Sequence, residues 1–282
     1  MSSASTLAEP TADAHALLSR RNRDGTLSAP QQWNEVLDTI LNHRSVRAFI
    51  PRPLPEGTLE LLIAAAQSAS SSSNLQFWSV VAVQESARKS RLAELAGQQQ
   101  FIRDAPLLLV WLTDLSRLDR IAAEHQAQVD GTHYLEEFIV GVVDAALAAQ
   151  STLIAAESLG LGAVYIGAMR NLPEQIAAEL ALPPHVFAVF GMSIGYPDPA
   201  RLTDIKPRLP QSVVLHREQY DAGTRTREIA GYNQTMRNFQ REQGMQVVDW
   251  TRQCFNRVKD AAALRGRDSM REALANLGFE LR

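Results

Sequence analysis

Two basic clusters in this 282-residue sequence carry the types and spacing needed for anion chemistry: His43-Arg44-Ser45-Val46-Arg47 and Lys206-Pro207-Arg208. The first sets two guanidinium groups, an imidazole and a hydroxyl at the end of a predicted helix. The second sets two cations in a stretch that Pro207 holds extended. Planar arginine forks, a point-charge lysine and a hydroxyl donor are what a phosphate dianion binds. Ser70 to Ser73 add hydroxyls and a loop of backbone donors, and Gln76, Gln98 and Gln99 add amides that both donate and accept. The set suits a phosphate, a polyol and the polar edge of a heterocycle. Each piece alone has a plainer reading, since an arginine-rich turn is commonly a solvated helix end and a serine run a loop.

Other patterns fail on their context. Gly160 and Gly162 followed by Gly167 imitate a dinucleotide fingerprint, but they come after a helix and before a strand, the reverse of the required turn. Gly191-Met192-Ser193-Ile194-Gly195 matches the nucleophile-elbow pattern, with Asp204 and His216 later in the order of a hydrolase triad. The following Tyr196-Pro197-Asp198-Pro199 cannot open the helix that an elbow requires. The two glycines then read as close backbone packing, and a serine hydrolase using Ser193 stays as a minor alternative. The six histidines (His15, His43, His125, His133, His185, His216) never stand four apart with an acid between, so no catalytic zinc site is expected. The single Cys254 excludes multi-cysteine metal sites and an internal disulfide, and it fits a reducing cytoplasm. No catalytic acid, base or nucleophile is assigned.

These residues need a scaffold. Hydrophobic residues are 45% and charged residues 21% of the chain, as in globular proteins. A net charge of −3 gives no basic field for nucleic acid or an anionic membrane. Helical periodicity places Trp33, Val36, Leu37, Ile40 and Leu41 on one face, and a second amphipathic helix follows over 58–69. Strands are expected over 78–83, 106–114, 163–166 and 186–194. Between them lie helices over 86–96, 133–159 and 173–180, with a loop over 115–132 that could serve as a lid. The apolar window 138–156 approaches the length of a membrane span, but Asp144, Gln150 and Ser151 interrupt it. It reads as a helix buried nearly all round, with small residues that allow close approach across a subunit interface. A proline-rich segment fills 197–210, and 217–282 reads as helical. Residues 1–30 contain Glu9, Asp13 and Asp24 and no long apolar run, so they read as a polar, partly disordered extension rather than a secretory segment. The expected class is α+β with one central sheet, in a single domain over 31–282.

Taken in order, these pieces resemble the nitroreductase family of FMN flavoproteins, in its NADPH nitroreductase and NADPH–flavin oxidoreductase branch. The matching stretches are His43-Arg44-Ser45-Val46-Arg47-Ala48-Phe49, Ser70 to Gln76, Gly141 to Asp144, Ala155 to Gly162, Tyr165-Ile166-Gly167-Ala168 and Lys206 to Pro210. The resemblance implies a sandwich with a mostly antiparallel sheet flanked by helices, a helical C-terminal excursion and an intertwined homodimer with FMN at its interface. It implies that His43, Arg44, Lys206 and Arg208 take the phosphate and ribityl end, with Ser45 beside them, and that Arg47 lies by the pyrimidine edge. Ser71, Ser73 and Gln76 would bond ribityl or ring atoms, Gln99 would reach the ring, and the Tyr165-Ile166-Gly167-Ala168 backbone would face it. Asn74 stands where relatives carry an aromatic at the substrate mouth. Arg241 matches one basic position for the 2′-phosphate of NADPH, while Met245 to Val248 lack the next, which leaves NADH use open. Arg267 falls near a substrate-facing position. The activity implied is ping-pong two-electron reduction of nitroaromatics, quinones or free flavin by NAD(P)H. A flavin reductase serving a partner enzyme, a reductive dehalogenase and a redox-sensing flavoprotein remain alternatives.

Overall fold

The computed structural model describes residues 12–23 and 32–282. Its helices in chain order are α1 (Ala12–Asn22), α2 (Glu35–Asn42), α3 (Thr58–Gln67), α4 (Ser86–Leu95), α5 (Gln100–Asp104), α6 (Ser116–Glu124), α7 (Leu135–Ser158), α8 (Pro173–Glu179), α9 (Gln211–Val214), α10 (Thr226–Glu242), α11 (Trp250–Val258), α12 (Ala261–Leu264) and α13 (Met270–Asn276). The strands are β1 (Trp78–Val83), β2 (Leu107–Asp114), β3 (Gly162–Ile166) and β4 (Val186–Gly195). Described residues fall into two compact units. One is formed by 12–23, 32–44 and 203–263, the other by 45–202 and 264–282.

The larger unit is built on one sheet of order β1-β2-β4-β3, antiparallel at every pairing. All eight residues of β2 are buried, which explains its continuous apolar run. Its side chains alternate between faces. Leu107, Leu109 and Trp111 pack with Leu62 and Ala66 of α3 and with Ala148, Ala149 and Leu153 of α7. Leu108, Val110 and Leu112 pack with Leu92 and Ala93 of α4 and Ile176 of α8. Each fully buried leucine contributes about 1.5–3 kcal/mol. The expected helix–sheet–helix sandwich is therefore present.

Three expectations need correction, and one minor alternative falls. Ser193 lies in the middle of β4, opposite Leu108 and Val164, and is wholly buried. A hydrolase nucleophile must stand exposed on a strand-to-helix turn, so the elbow reading fails. A Cβ on Gly195 would lie 2.5 Å from Pro106 Cδ and 3.0 Å from Phe49 Cδ1, so this glycine serves packing. The expected 115–132 loop is mostly structured. It contains α6, whose Ser116 and Ala122 are buried, and Asp119 binds both His185 (2.6 Å) and Thr132 (3.0 Å). Helix α7 is not buried all round. Its Gly141, Ala145 and Ala148 face the core, but Leu135, Ile139, Val143 and Leu147 remain 43–49% exposed. Finally, 217–225 carries no helix. There Asp221 Oδ1 accepts the Gly223 N–H at 2.8 Å, a local bond that competes with helix formation.

The smaller unit has its own packing. Asn34 caps α2 by accepting the Leu37 N–H at 3.0 Å. Ala14 and Leu17 of α1 join Trp33 and Ile205 in a buried cluster, with Leu37 and Leu41 of α2 against it. Residues 12–22, taken from the sequence as part of a polar extension, are thus an ordered helix. The rest of that reading, over 1–11 and 24–30, lies outside the described residues. Tyr232, Met236 and Phe239 of α10 form a second cluster with Leu209 and Trp250.

Candidate functional site

Within the smaller unit, the two predicted phosphate-binding pairs are fastened around one side chain. Arg21, at the end of α1, is only 8% exposed. Its Nη2 donates to the carbonyls of Leu41 (2.8 Å) and His43 (2.6 Å), and its Nη1 to the carbonyl of Lys206 (3.1 Å). The Arg208 N–H donates back to the Arg21 carbonyl at 2.8 Å. Tyr232 donates its hydroxyl to the Pro207 carbonyl at 2.9 Å. The backbones of 41–43 and 206–208 are thereby locked together, while the Lys206 and Arg208 residues remain exposed and His43 and Arg44 partly so. Burial raises the Tyr232 hydroxyl above its ordinary value, against the pull of the Arg208 charge. Nearby, Asp204 pairs with Arg20, and with Arg23 at 3.7 Å. Burial alone would raise its carboxyl, but the Ile205 N–H and the two guanidiniums outweigh that and hold it below the usual range.

In the larger unit, Ser45 to Arg47 run beside β3. The Val46 N–H bonds the Ala163 carbonyl at 3.0 Å. Gly162 makes this approach possible, since a Cβ there would lie 2.5 Å from Val46 Cγ2. Arg47 is solvent-accessible, and the protein atoms around it lower its guanidinium without discharging it.

The serine loop is held in an uncommon shape. Ser73, Asn74 and Gln76 all have left-handed backbones, with φ of 48°, 56° and 52°. Such conformations cost non-glycine residues about 1–3 kcal/mol each, persist only where the surroundings enforce them, and cluster at binding sites. Buried Asp144 of α7 enforces this one. Its Oδ2 accepts from Ser71 Oγ at 2.7 Å and from the Phe77 N–H at 3.1 Å, and its Oδ1 from the Ser72 N–H at 3.3 Å. Ser71 Oγ in turn accepts the Gln76 N–H at 2.8 Å. On the far side Arg117 of α6 donates to the carbonyls of Gln76 and Trp78, each at 2.9 Å. Ser71 has thus spent its one donor and keeps one lone pair for a ligand. The Asn74 and Gln76 amides are exposed and lie 3.3 Å apart.

A third group gathers around Asn171. Its N–H bonds the Ala168 carbonyl at 3.0 Å, closing the turn that continues from Tyr165, Ile166 and Gly167. Its Oδ1 accepts from Arg267 Nε at 2.9 Å. Its Nδ2 lies 3.6 Å from the Cβ position of Gly97, in the loop that leads to Gln98 and Gln99. The turn, the glutamine loop and Arg267 are therefore neighbours. Tyr165 donates to Gln150 Oε1 at 3.3 Å and meets the Phe190 ring edge-on. Burial, then the charge of Glu157, raises its hydroxyl far above the ordinary value. Arg241 belongs to the smaller unit. It lies exposed on α10 with Nη1 on Asn238 Oδ1 at 3.0 Å.

Four organising residues were not assigned from sequence: Arg21, Arg117, Asp144 and Asn171. Only Asp144 left a signal, as a carboxylate inside an apolar helix must find donors when buried.

The comparisons with known proteins agree with this geometry. The model described as "Nitroreductase family" matches residues 40–196, and "Nitroreductase family, C-terminal domain" matches 206–282. An FMN reductase [NAD(P)H] of Bacillus subtilis is 40% identical over 223 residues, covering 77% of this chain and 88% of its own. An NADPH-flavin oxidoreductase of Vibrio harveyi is 37% identical over 227 residues, covering 80% and 91%. The solved structure of a nitroreductase from B. subtilis superposes with a TM-score of 0.82 at 34% identity, covering 88% of this chain and 100% of that one. With these matches over most of the chain and the antiparallel sandwich in place, the chain belongs to the nitroreductase family.

Proposed function

We propose that this protein is an FMN-dependent NAD(P)H oxidoreductase that reduces flat acceptors such as nitroaromatics, quinones or free flavin. The observation that carries the reading is the pairing of His43-Arg44 with Lys206-Arg208 on one locked backbone, with the long cations left at the surface. That donor set fits the phosphate of FMN, whose two negative charges need clustered cations. The names of the relatives, an FMN reductase [NAD(P)H] and an NADPH-flavin oxidoreductase, support the same cofactor and donor.

In this reading His43, Arg44, Lys206 and Arg208 hold the phosphate and ribityl end, with the Ser45 hydroxyl as a further donor. Arg47 sets a positive charge by the pyrimidine edge. The left-handed loop offers Ser73 and Gln76 to ribityl or ring atoms, with Asn74 at the mouth. Gln99 and the Tyr165–Ala168 backbone line the ring, and Arg267, held by Asn171, takes the substrate-facing position. Arg241 takes the 2′-phosphate of NADPH. The chemistry that FMN supplies when bound is reversible two-electron transfer between NAD(P)H and an acceptor. The chain's own part is to bind, orient and tune by charge, so no residue is assigned as acid or base.

A homodimer is part of the proposal. Leu135, Ile139, Val143 and Leu147 recur every four residues along α7 and leave an apolar stripe at the surface. A stripe of this kind marks an association surface, here for a second copy of the chain. A reducing cytoplasm remains the proposed compartment.

The test is an absorbance spectrum of the purified protein, followed by anaerobic addition of NADPH or NADH. Flavin bands near ~450 nm that bleach with either donor are expected. Bands that resist both donors would leave a flavin-binding protein without this activity. No flavin after reconstitution with FMN would overturn the proposal.

A further inference from the structure

We propose that Arg21 is a positioning residue for the phosphate end of the cofactor site, supplied by a helix that the matched family models do not cover. Those matches begin at residue 40, whereas α1 spans Ala12–Asn22. The inference rests on the phosphate reading of His43, Arg44, Lys206 and Arg208 given above.

Helix α1 grips the segment that carries the second cation pair almost residue by residue. Arg20 pairs with Asp204. Ala14 and Leu17 pack with Ile205. Arg21 takes the Lys206 carbonyl through its guanidinium and the Arg208 N–H through its own carbonyl. The same guanidinium closes the end of α2, which has no basic residue in its last turn, by taking the Leu41 and His43 carbonyls. Helix ends leave such carbonyls without intrahelical partners, and a cation there is favourable. One fork therefore sets the backbone positions of both cation pairs at once.

Two physical consequences follow. Arg44, Lys206 and Arg208 carry like charges, and a backbone fixed at both segments keeps them from drifting apart before the anion arrives. Cations that are already placed lose less freedom on binding, which raises affinity without a new contact. Both effects act on the phosphate and leave the ring end untouched.

The experiment is titration of the flavin-free full-length protein with FMN and, separately, with riboflavin, which lacks the phosphate. The variants are Arg21→Met, Arg21→Lys and Arg208→Ala. Arg21→Met is expected to weaken FMN binding by about tenfold or more and to weaken riboflavin binding much less, since riboflavin keeps the ribityl chain but not the phosphate. Arg21→Lys keeps the charge but lacks the fork that reaches three carbonyls, so it should fall between Arg21→Met and the parent. If Arg21→Met does not fold, Arg21→Lys carries the same comparison. Equal losses for FMN and riboflavin would mean a merely structural role and overturn the inference. Parental FMN affinity in the Arg21 variants, with affinity lost in Arg208→Ala, would overturn it while leaving the phosphate reading intact. Undiminished FMN binding in Arg208→Ala would remove the phosphate reading and the inference with it.

Discussion

Ser71 and Asp144 lie 73 residues apart in sequence, and the Ser71 hydroxyl donates to the Asp144 carboxylate at 2.7 Å. The bond joins the serine loop to the core helix that runs under the sheet. Removing the carboxylate leaves the Ser71 hydroxyl and the Ser72 and Phe77 N–H groups without their acceptor. Asp144→Ala should therefore lose about 2–4 kcal/mol of stability. Asp144→Asn, which keeps one acceptor, should lose less. Urea denaturation measures both, and an unchanged midpoint in Asp144→Ala would show that the loop does not depend on this brace.

Arg208 is exposed in side chain but fixed in backbone. Its truncation should leave the fold intact and weaken FMN binding by about 2 kcal/mol, the size of a charge-assisted hydrogen bond. A variant that purifies with full flavin content would contradict the placement of this cation.

Gly162 sits where any side chain meets Val46, at 2.5 Å from Cγ2 and 2.8 Å from Cβ. Gly162→Ala must push aside the segment that carries Ser45 and Arg47. A cost of about 1–3 kcal/mol is expected from such overpacking, with a lower melting temperature as its sign. Retention of the parental melting temperature would mean that this segment shifts freely.

Ser193 is wholly buried, and its hydroxyl has no hydrogen-bond partner among the described residues. Ser193→Ala removes an unsatisfied polar atom, so stability should hold or rise by up to about 1 kcal/mol. NAD(P)H oxidation should be unaffected. A marked fall in stability would contradict the unsatisfied state of this hydroxyl.

Ile139 is 48% exposed at the middle of the α7 stripe. Ile139→Glu places a charge in the proposed subunit seam, and sedimentation should show the population moving from dimer to monomer. A parental profile would exclude this face as the seam.

Much of the scaffold was legible because its strands and helices obey their own periodicity. The alternating faces of β2, the Pro173 start of α8 and the glycine stop after α7 are local properties of the chain. The cation clusters and the serine loop were also visible as residue types. What sequence could not supply is partnership across distance. Arg21 is one of several arginines in a polar stretch until its guanidinium is seen among the carbonyls of Leu41, His43 and Lys206. Arg117 lay in a segment read as a loop, yet Leu115 and Ala122 are buried there. The exposed face of α7 escaped notice because composition alone does not say which side of an apolar helix meets the core.

The braced serine loop bears on the kinetics of cofactor uptake. Ser73, Asn74 and Gln76 hold their left-handed backbones through Asp144 and Arg117, both of them groups of the protein itself. A cradle maintained by internal bonds does not wait for its guest to fold it. On the proposed placement, recognition by this loop should proceed as a single bimolecular encounter, with no slow ordering phase after contact, and exchange of one bound flavin for another should be governed by departure rather than by refolding of the loop.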